Sequence, residues 1–232
     1  MVFRTFFVFM AITTTLFAGT VGTATVSAHV PDVSARHYHF SEASEGITQN
    51  MHWIETKQNG QRHIVLQSDS NITKTAIGNA STTEWYFNNL KTKTKIRISV
   101  AEDAATIVST INGIKKNSTV ALNGTPFKYP PSFFMADVVQ SSKSKQFVWV
   151  ANKKEATLRQ MIFTKRGKET ISVHGKTYDC IKIEMKPTGL AGLAWKAYYW
   201  FDSNTGEFVK YIGKKGPPGT PKFTIEVYPP KK

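Results

Sequence analysis

The sequence predicts a mainly β protein: a strongly curved antiparallel sheet, or incomplete β-barrel, of about eleven or twelve strands with one short helix plugging or covering it. From His37 onward, apolar and polar residues alternate with a period of two in short segments, which is typical of strands. Turn dipeptides such as Asn59-Gly60 and Asn112-Gly113 separate these segments and favour antiparallel hairpins. Because only residues 133–142 have a helical pattern, such a large sheet must curve to bury its own apolar face.

Residues 1–28 differ from the rest of the chain. Arg4 precedes an apolar stretch, and small residues end the segment just before His29. This order is typical of a Sec-type signal peptide that is cleaved before His29. An uncleaved anchor is the alternative, but the apolar stretch is shorter than the roughly 20 residues that span a bilayer. We therefore expect a single β-rich domain over residues 29–232.

Two stretches of this domain lack a clear strand pattern. Residues 29–36 contain Pro31 and are expected to form a frayed lead-in. Residues 69–83 are rich in Thr, Ser and Asn, which predicts an exposed, irregular loop with at most one short edge strand.

The first hairpin is predicted between residues 51–57 and 62–68. A two-residue turn at Asn59-Gly60 would place Trp53 opposite Leu66 and Glu55 opposite Ile64, giving one mainly apolar face. Further strands are predicted at 84–88, 93–100, 106–111, 114–122, 145–150, 157–164, 169–173, 176–185, 194–201, 207–212 and 222–228, with a turn at Gly167-Lys168.

The one predicted helix, residues 133–142, begins after Tyr129-Pro130-Pro131-Ser132, where proline and serine suit a helix start. Its apolar residues include Phe133 and Phe134. In a β-rich chain, a short helix of this kind either plugs an open end of the sheet or gates a cavity.

Charge and cysteine content indicate the compartment. The formal net charge is +14, of which Arg4 in the predicted signal contributes one. Outside the cytoplasm, a basic protein attracts anionic membrane surfaces, glycans or acidic envelope proteins, and nucleic acid is not an expected partner. The single cysteine, Cys180, lies in a strand pattern beyond the signal, where it can form no internal disulfide and can accept no lipid. We expect a soluble periplasmic protein that is not a lipoprotein.

Enzymatic motifs are missing from the sequence. It contains no nucleophile elbow, no zinc-protease His-Glu-x-x-His and no glycine-rich phosphate loop. Prolines at 217 and 218 exclude the helix that would have to follow a phosphate loop at Gly213-Lys214-Lys215-Gly216. His37 and His39 lie two apart on a strand, and His52 or His63 could supply a third metal ligand, but without a carboxylate or cysteine at companion spacing the metal site stays a guess. The sequence therefore predicts a protein that is not an enzyme and that has no cofactor.

Aromatic residues are concentrated in residues 194–201. Trp195, Tyr199 and Phe201 point to one face of this strand, and Tyr198 and Trp200 point to the other. Rings on both faces of one strand require a cover on each face. The rings either fill the inside of the sheet or line a ligand site.

Four segments then support a family resemblance. They are Gly124-Thr125-Pro126-Phe127-Lys128-Tyr129, Val173-His174-Gly175-Lys176-Thr177-Tyr178, Ala197-Tyr198-Tyr199-Trp200 and Gly216-Pro217-Pro218-Gly219-Thr220-Pro221. Over residues 85–228 the chain resembles a group of uncharacterised exported bacterial proteins that look like relatives of the outer-membrane lipoprotein carriers. The resemblance implies a curved half-barrel that wraps a hydrophobic cavity closed by helices.

These observations together predict a non-enzymatic periplasmic carrier for a lipophilic or amphiphilic anionic ligand, such as a lipid or acyl chain. One alternative is an envelope scaffold or assembly factor that binds protein or glycan through its basic face. Another is a hydrolase with an unfamiliar site. The predicted apolar lining is Trp149, Trp195, Tyr199 and Phe201, with Phe133 and Phe134 at the mouth, and the predicted contacts to an anionic headgroup are Lys196, Lys214, Lys215 and Lys222.

Overall fold

The computed structural model describes residues 33–42, 47–58, 60–68, 71–78, 81–214 and 220–228. The predicted signal peptide, residues 1–28, and the predicted headgroup contact Lys215 lie outside these residues. Within them, no helix is both long and apolar enough to cross a membrane.

The described residues contain fourteen strands and three short helical segments. The strands are β1 (Val33–Glu42), β2 (Ile47–Gln58), β3 (Gln61–Gln67), β4 (Asn71–Gly78), β5 (Ser81–Asn89), β6 (Thr94–Ala101), β7 (Ala104–Ile111), β8 (Ile114–Ala121), β9 (Lys145–Asn152), β10 (Thr157–Val173), β11 (Lys176–Pro187), β12 (Ala197–Asp202), β13 (Phe208–Lys214) and β14 (Lys222–Tyr228). The helical segments are a 3-10 helix (Pro131–Phe133), α1 (Met135–Gln140) and α2 (Ala191–Ala194).

All fourteen strands form one antiparallel sheet, in the order β8-β7-β6-β5-β4-β3-β2-β1-β14-β13-β12-β11-β10-β9. Nearly every neighbour in this order is also a neighbour in sequence, as expected for a chain of hairpins; the exception is β1 beside β14. The predicted register of the first hairpin is confirmed, with Trp53 opposite Leu66 and Glu55 opposite Ile64. The predicted fold class, a curved and incompletely closed antiparallel sheet, is also confirmed.

The concave side of the sheet encloses an apolar cluster, which we call the interior core. Strands β9 and β10 at one end of the sheet order contribute to it together with β2, β3 and β4 from the middle of that order, so the sheet must curve around it. Its buried members are Trp53, Ile64, Ile77, Phe133, Phe134, Val138, Val139, Val148, Val150, Met161, Phe163, Ile183, Met185, Ala197, Tyr199, Phe201, Phe208 and Tyr211.

A second cluster, the layer core, shows that the sheet rolls onto itself. Ala151 on β9 and Leu158 on β10 are register partners on the opposite face from Val148 and Met161. Both pack with Trp85 of β5, which lies at the far side of the sheet order. The outer face of β9 and β10 therefore lies against the concave face of β5–β8. The buried members of the layer core are Trp85, Phe87, Ile96, Ile98, Ala105, Ile107, Leu122, Phe127, Ala151, Ala156 and Leu158.

Residues 126–128 connect the rolled end to the rest of the sheet. The Trp149 amide of β9 donates to the Pro126 carbonyl at 2.9 Å, and the Lys128 amide donates to the Trp149 carbonyl at 3.0 Å. On the other side, the Thr82 amide of β5 donates to the Phe127 carbonyl at 2.8 Å. This segment occupies the middle of the free edge of β9, whereas β8 pairs with β7 alone.

The hairpin of β10 and β11 covers the second face of β12. Val173 and Cys180 from this hairpin are buried with Trp200 and Val209, on the face opposite to Tyr199. Burial raises the pKa of the Cys180 thiol to about 12, so the thiol stays protonated at neutral pH. The sequence-based interpretation of Cys180 as a small buried apolar residue agrees with this environment.

Polar contacts fasten the same hairpin to the strands beneath it. The Trp200 indole of β12 donates to the Glu169 carboxylate of the hairpin at 3.1 Å, and within the hairpin the Lys182 ammonium lies 3.0 Å from the same carboxylate. At the hairpin tip, His174 Nε2 lies 3.6 Å from Glu226 Oε2 of β14. Strand β12 is thus covered twice by the chain itself, once by the interior core and once by this hairpin.

Several boundaries differ from the sequence-based predictions. Residues 33–36 belong to β1 rather than to a frayed lead-in, because they pair with β2. The expected exposed loop at 69–83 is wrong: β4 and the start of β5 occupy it, and Thr73, Thr75 and Thr82 are buried there. Instead of a turn, the chain has a bulge before Gly167, where Arg166 is the extra residue within the single long strand β10.

Candidate functional site

The candidate site is the interior core and the helical plug that closes it. We define the helical plug as residues 131–140, comprising the 3-10 helix and α1. Pro131 suits the first position of a helix because a residue at that position makes no intrahelical hydrogen bond through its amide nitrogen. Four apolar side chains of the plug, Phe133, Phe134, Val138 and Val139, are buried in the interior core. The Trp53 and Phe133 rings meet edge to face with centroids 3.9 Å apart.

An aromatic group on β12 and β13 lies at the centre of the interior core. The Tyr199 ring lies 5.9 Å from that of Phe201 in a stacked pair and 4.7 Å from that of Tyr211, edge to face. Burial raises the pKa of both Tyr199 and Tyr211, so both phenols stay neutral. Tyr211 in turn contacts Phe223 of β14 at 5.2 Å. The interior surface is therefore apolar and aromatic around β12 and β13. Its polar atoms there include the uncharged hydroxyl groups of Tyr199 and Tyr211.

Two cationic side chains hold the helical plug by its main-chain carbonyl groups. Arg62 Nη1 donates to the Phe133 carbonyl at 3.4 Å, and Glu55 holds the Arg62 guanidinium with contacts of 2.6 and 3.2 Å. At the other end, Lys165 Nζ donates to the carbonyls of Val139, at 2.7 Å, and Ser141. A cation at the C-terminus of a helix satisfies free carbonyls and opposes the helix dipole.

Lys165→Met is expected to destabilise the protein by about 1–2 kcal/mol, because charged hydrogen bonds to the plug carbonyls are lost. Urea unfolding monitored by circular dichroism measures the change. Lys168→Met is the matched control, because Lys168 lies on the same strand with an exposed side chain. Equal losses in the two variants would show that Lys165 does not hold the plug.

The structure brings four of the six predicted lining residues together. Phe133, Phe134, Tyr199 and Phe201 are all buried in the interior core. Trp195 is partly buried against the same core, and its indole donates to the Lys214 carbonyl at 3.1 Å. The predicted strand 194–201 begins only at Ala197, because α2 precedes it.

Trp149 lies elsewhere. It packs against the layer core, on the opposite face of β9 from Val148, and its indole donates to the Leu122 carbonyl at 3.0 Å. Trp149 therefore does not share a surface with Tyr199 and Phe201.

The predicted headgroup lysines lie away from the interior core. Lys196 is exposed, and its pKa is raised chiefly by its hydrogen bond to Tyr198, on the outer face of β12. Lys214 and Lys222 are register partners at the end of β13 and β14. They alternate with Gly213 and Phe223, and Phe223 packs against the interior core, so strand alternation directs both lysines outward.

Sequence reasoning missed Arg62 and Lys165 as site residues. Both read as ordinary exposed cations of alternating strands, and their partners are main-chain carbonyls distant in sequence. Buried polar residues on β4 were missed because that strand was predicted as a loop. Among the residues that the structure describes, no group of three or more His, Cys, Asp and Glu side chains is placed to hold a metal ion. The side chains of His37 and His39 lie outside this description.

No protein-family model and no curated protein matches the sequence. Solved structures with a similar chain path include a beta-barrel-like protein of a domain family of unknown function from Brucella abortus, with 9% identity, 86% of this chain and 96% of that chain covered, and a TM-score of 0.46. The hypothetical lipoprotein YmcC from Escherichia coli has 12% identity, coverage of 85% and 87%, and a TM-score of 0.38.

A putative outer membrane lipoprotein-sorting protein domain from Vibrio parahaemolyticus has 11% identity, coverage of 85% and 83%, and a TM-score of 0.25. This last neighbour is described as a lipoprotein-sorting domain, the kind of protein named in the sequence-based resemblance. At such values these neighbours assign no role to any residue of this chain.

Proposed function

We propose that this protein is a non-enzymatic binding protein of the bacterial periplasm that holds the acyl part of a lipophilic or amphiphilic ligand inside its rolled sheet. One observation carries the proposal. Among the described residues, the aromatic concave face is covered by a short helical plug and not by another strand. An acyl chain that displaced Phe133 and Phe134 would meet the same apolar surface that these rings now cover.

The attachment of the plug favours reversible opening. Its polar contacts to the sheet include those of Arg62 and Lys165, and both end on carbonyl oxygens that water can also satisfy. Burial of aromatic side chains holds the plug in place. An acyl chain that displaced these side chains would bury a similar area of the same apolar surface. The outward-facing Lys196, Lys214 and Lys222 supply positive charge at the surface, which suits an approach to anionic membranes.

Detergent-free native mass spectrometry of the exported protein, followed by lipid extraction, tests the proposal. We expect a bound lipophilic species in about stoichiometric amount. The same protein should bind the apolar fluorophore N-phenyl-1-naphthylamine, and dodecanoate should displace this probe. If no lipid is recovered and the wild-type protein also fails to bind the probe, the proposed function is wrong.

Lys165→Met and Lys168→Met then test the role of the plug. If the plug must move to admit ligand, the first variant should bind the fluorophore several-fold faster than the wild-type protein, and the second should bind at the wild-type rate. Stopped-flow fluorescence measures both rates. Identical association rates in all three proteins would mean that ligand enters without moving the plug.

A further inference from the structure

Two buried hydrogen-bond donors lie side by side on the concave face. Thr75 on β4 and Trp85 on β5 are register partners, with exposures of 3% and 0%. Within the part of the chain that the structure describes, neither the Thr75 hydroxyl nor the Trp85 indole nitrogen has a hydrogen-bond partner. Leaving such a group unpaired is unfavourable, because its hydrogen bond to water is lost on folding and nothing replaces it, so two neighbouring examples require an explanation.

Their position joins the two apolar clusters. Thr75 is paired on one side with Ile64, a member of the interior core, and on the other with Trp85, a member of the layer core. Tyr129 packs against both clusters, and its ring meets that of Trp85 edge to face at 5.0 Å. A ligand lying in the interior core would therefore have these two donors at its border.

Two lysine side chains lie near this border. Lys128 is buried, with an exposure of 6%, and its ammonium lies 6.0 Å from the centre of the Phe134 ring in the helical plug. Lys153 lies 4.6 Å from the Phe87 ring and 5.8 Å from the Tyr129 ring. Lys153 is exposed, so its ammonium group attracts an electron-rich ligand oxygen that approaches this border.

We propose that Thr75 and Trp85 form the polar anchor of the ligand site and donate hydrogen bonds to the carbonyl or carboxylate oxygens of an acyl group. This inference rests on the proposed function and adds the chemistry that would orient the ligand. An indole N–H can only donate, so an acceptor is required. Cross-strand partners hold their side chains roughly 5 Å apart, a spacing that suits one acyl group between them. The acyl group belongs either to a free fatty acid or to an ester such as a phospholipid.

Thr75→Val removes the hydroxyl donor and keeps the side-chain shape, whereas Trp85→Phe removes the indole donor and keeps an aromatic but smaller side chain. The fluorophore N-phenyl-1-naphthylamine has no oxygen atom, so its own dissociation constant is the internal control. Displacement titrations with dodecanoate and with methyl dodecanoate then report on acyl oxygens. Each variant should bind the fluorophore within about twofold of the wild-type protein and bind dodecanoate about tenfold more weakly.

The ester arm separates the two sources. Weaker binding of dodecanoate alone identifies a carboxylate, and weaker binding of both compounds identifies an acyl carbonyl. If a variant loses affinity equally for the fluorophore and the acyl compounds, or loses affinity for neither, the polar anchor is wrong and the carrier role still stands. A wild-type protein that binds neither probe would instead refute the carrier role and the anchor together.

Thermal unfolding of the ligand-free variants gives a second, independent readout. Because the Thr75 hydroxyl has no partner among the described residues, Thr75→Val should leave the melting temperature unchanged or raise it. A clear fall would show that the hydroxyl is already hydrogen-bonded in the free protein, which contradicts the proposal. Thr75→Val keeps the test decisive if Trp85→Phe folds poorly.

Discussion

Phe201→Ala is expected to lower the free energy of unfolding by about 3–5 kcal/mol, the range for removing a fully buried Phe side chain. Phe201 is completely buried on β12, where its ring lies 5.9 Å from those of both Tyr199 and Phe208. The substitution leaves a cavity in the part of the interior core where the most aromatic rings meet. Urea unfolding followed by circular dichroism measures the loss.

Phe147→Ala is the matched control. Phe147 lies on β9 but is 46% exposed, so its removal should cost less than about 1 kcal/mol. Similar losses at both positions would mean that the interior core is not packed as described.

Gly213→Ala is expected to be the second most damaging substitution, at about 1–3 kcal/mol or more. An added methyl group at Gly213 would lie 2.0 Å from the Tyr211 hydroxyl and 2.4 Å from the ring carbon that carries it. The ring lies over this glycine along β13 and is buried against Tyr199, so it has little room to move. Denaturant unfolding again gives the value.

A double-mutant cycle isolates the cause. In a Tyr211→Leu background the ring is gone, and Gly213→Ala should then cost less than about 1 kcal/mol. If the cost is the same in both backgrounds, the glycine is required for its backbone and not for contact with Tyr211.

The sequence predicted the strands well because their information is local. Alternation and Asn-Gly turns specify a hairpin and its register, as the pairs of Trp53 with Leu66 and Glu55 with Ile64 show. The same alternation correctly placed Tyr199 and Phe201 on the face opposite to Trp200. Strand β4 was missed because its buried positions include threonine residues, which a hydrophobicity pattern does not count as core.

The site was only partly predictable because its contacts join distant parts of the chain. Trp149 and Tyr199 both look like lining residues, but rolling of the sheet buries Trp149 in a different layer. Lys165 donates to a main-chain carbonyl group of the helical plug. Because every residue has such a carbonyl group, no sequence pattern identifies this contact. Lys214 was predicted to contact a headgroup because it lies in a basic stretch of sequence. In the structure it ends β13, and strand alternation directs its side chain outward.

The segment at 126–128 also determines how copies of this protein can associate. Fibre growth through strand pairing requires two free edges on each molecule, so that one copy adds to the next without limit. Here the middle of the β9 edge is already hydrogen-bonded to 126–128, and only β8 offers an accessible edge among the described strands. Two copies could pair through β8 and then have no edge left. Strand pairing between molecules is therefore expected to stop at a dimer, and the exposed Lys115 and Lys116 on β8 would oppose even that step by repulsion between the two copies.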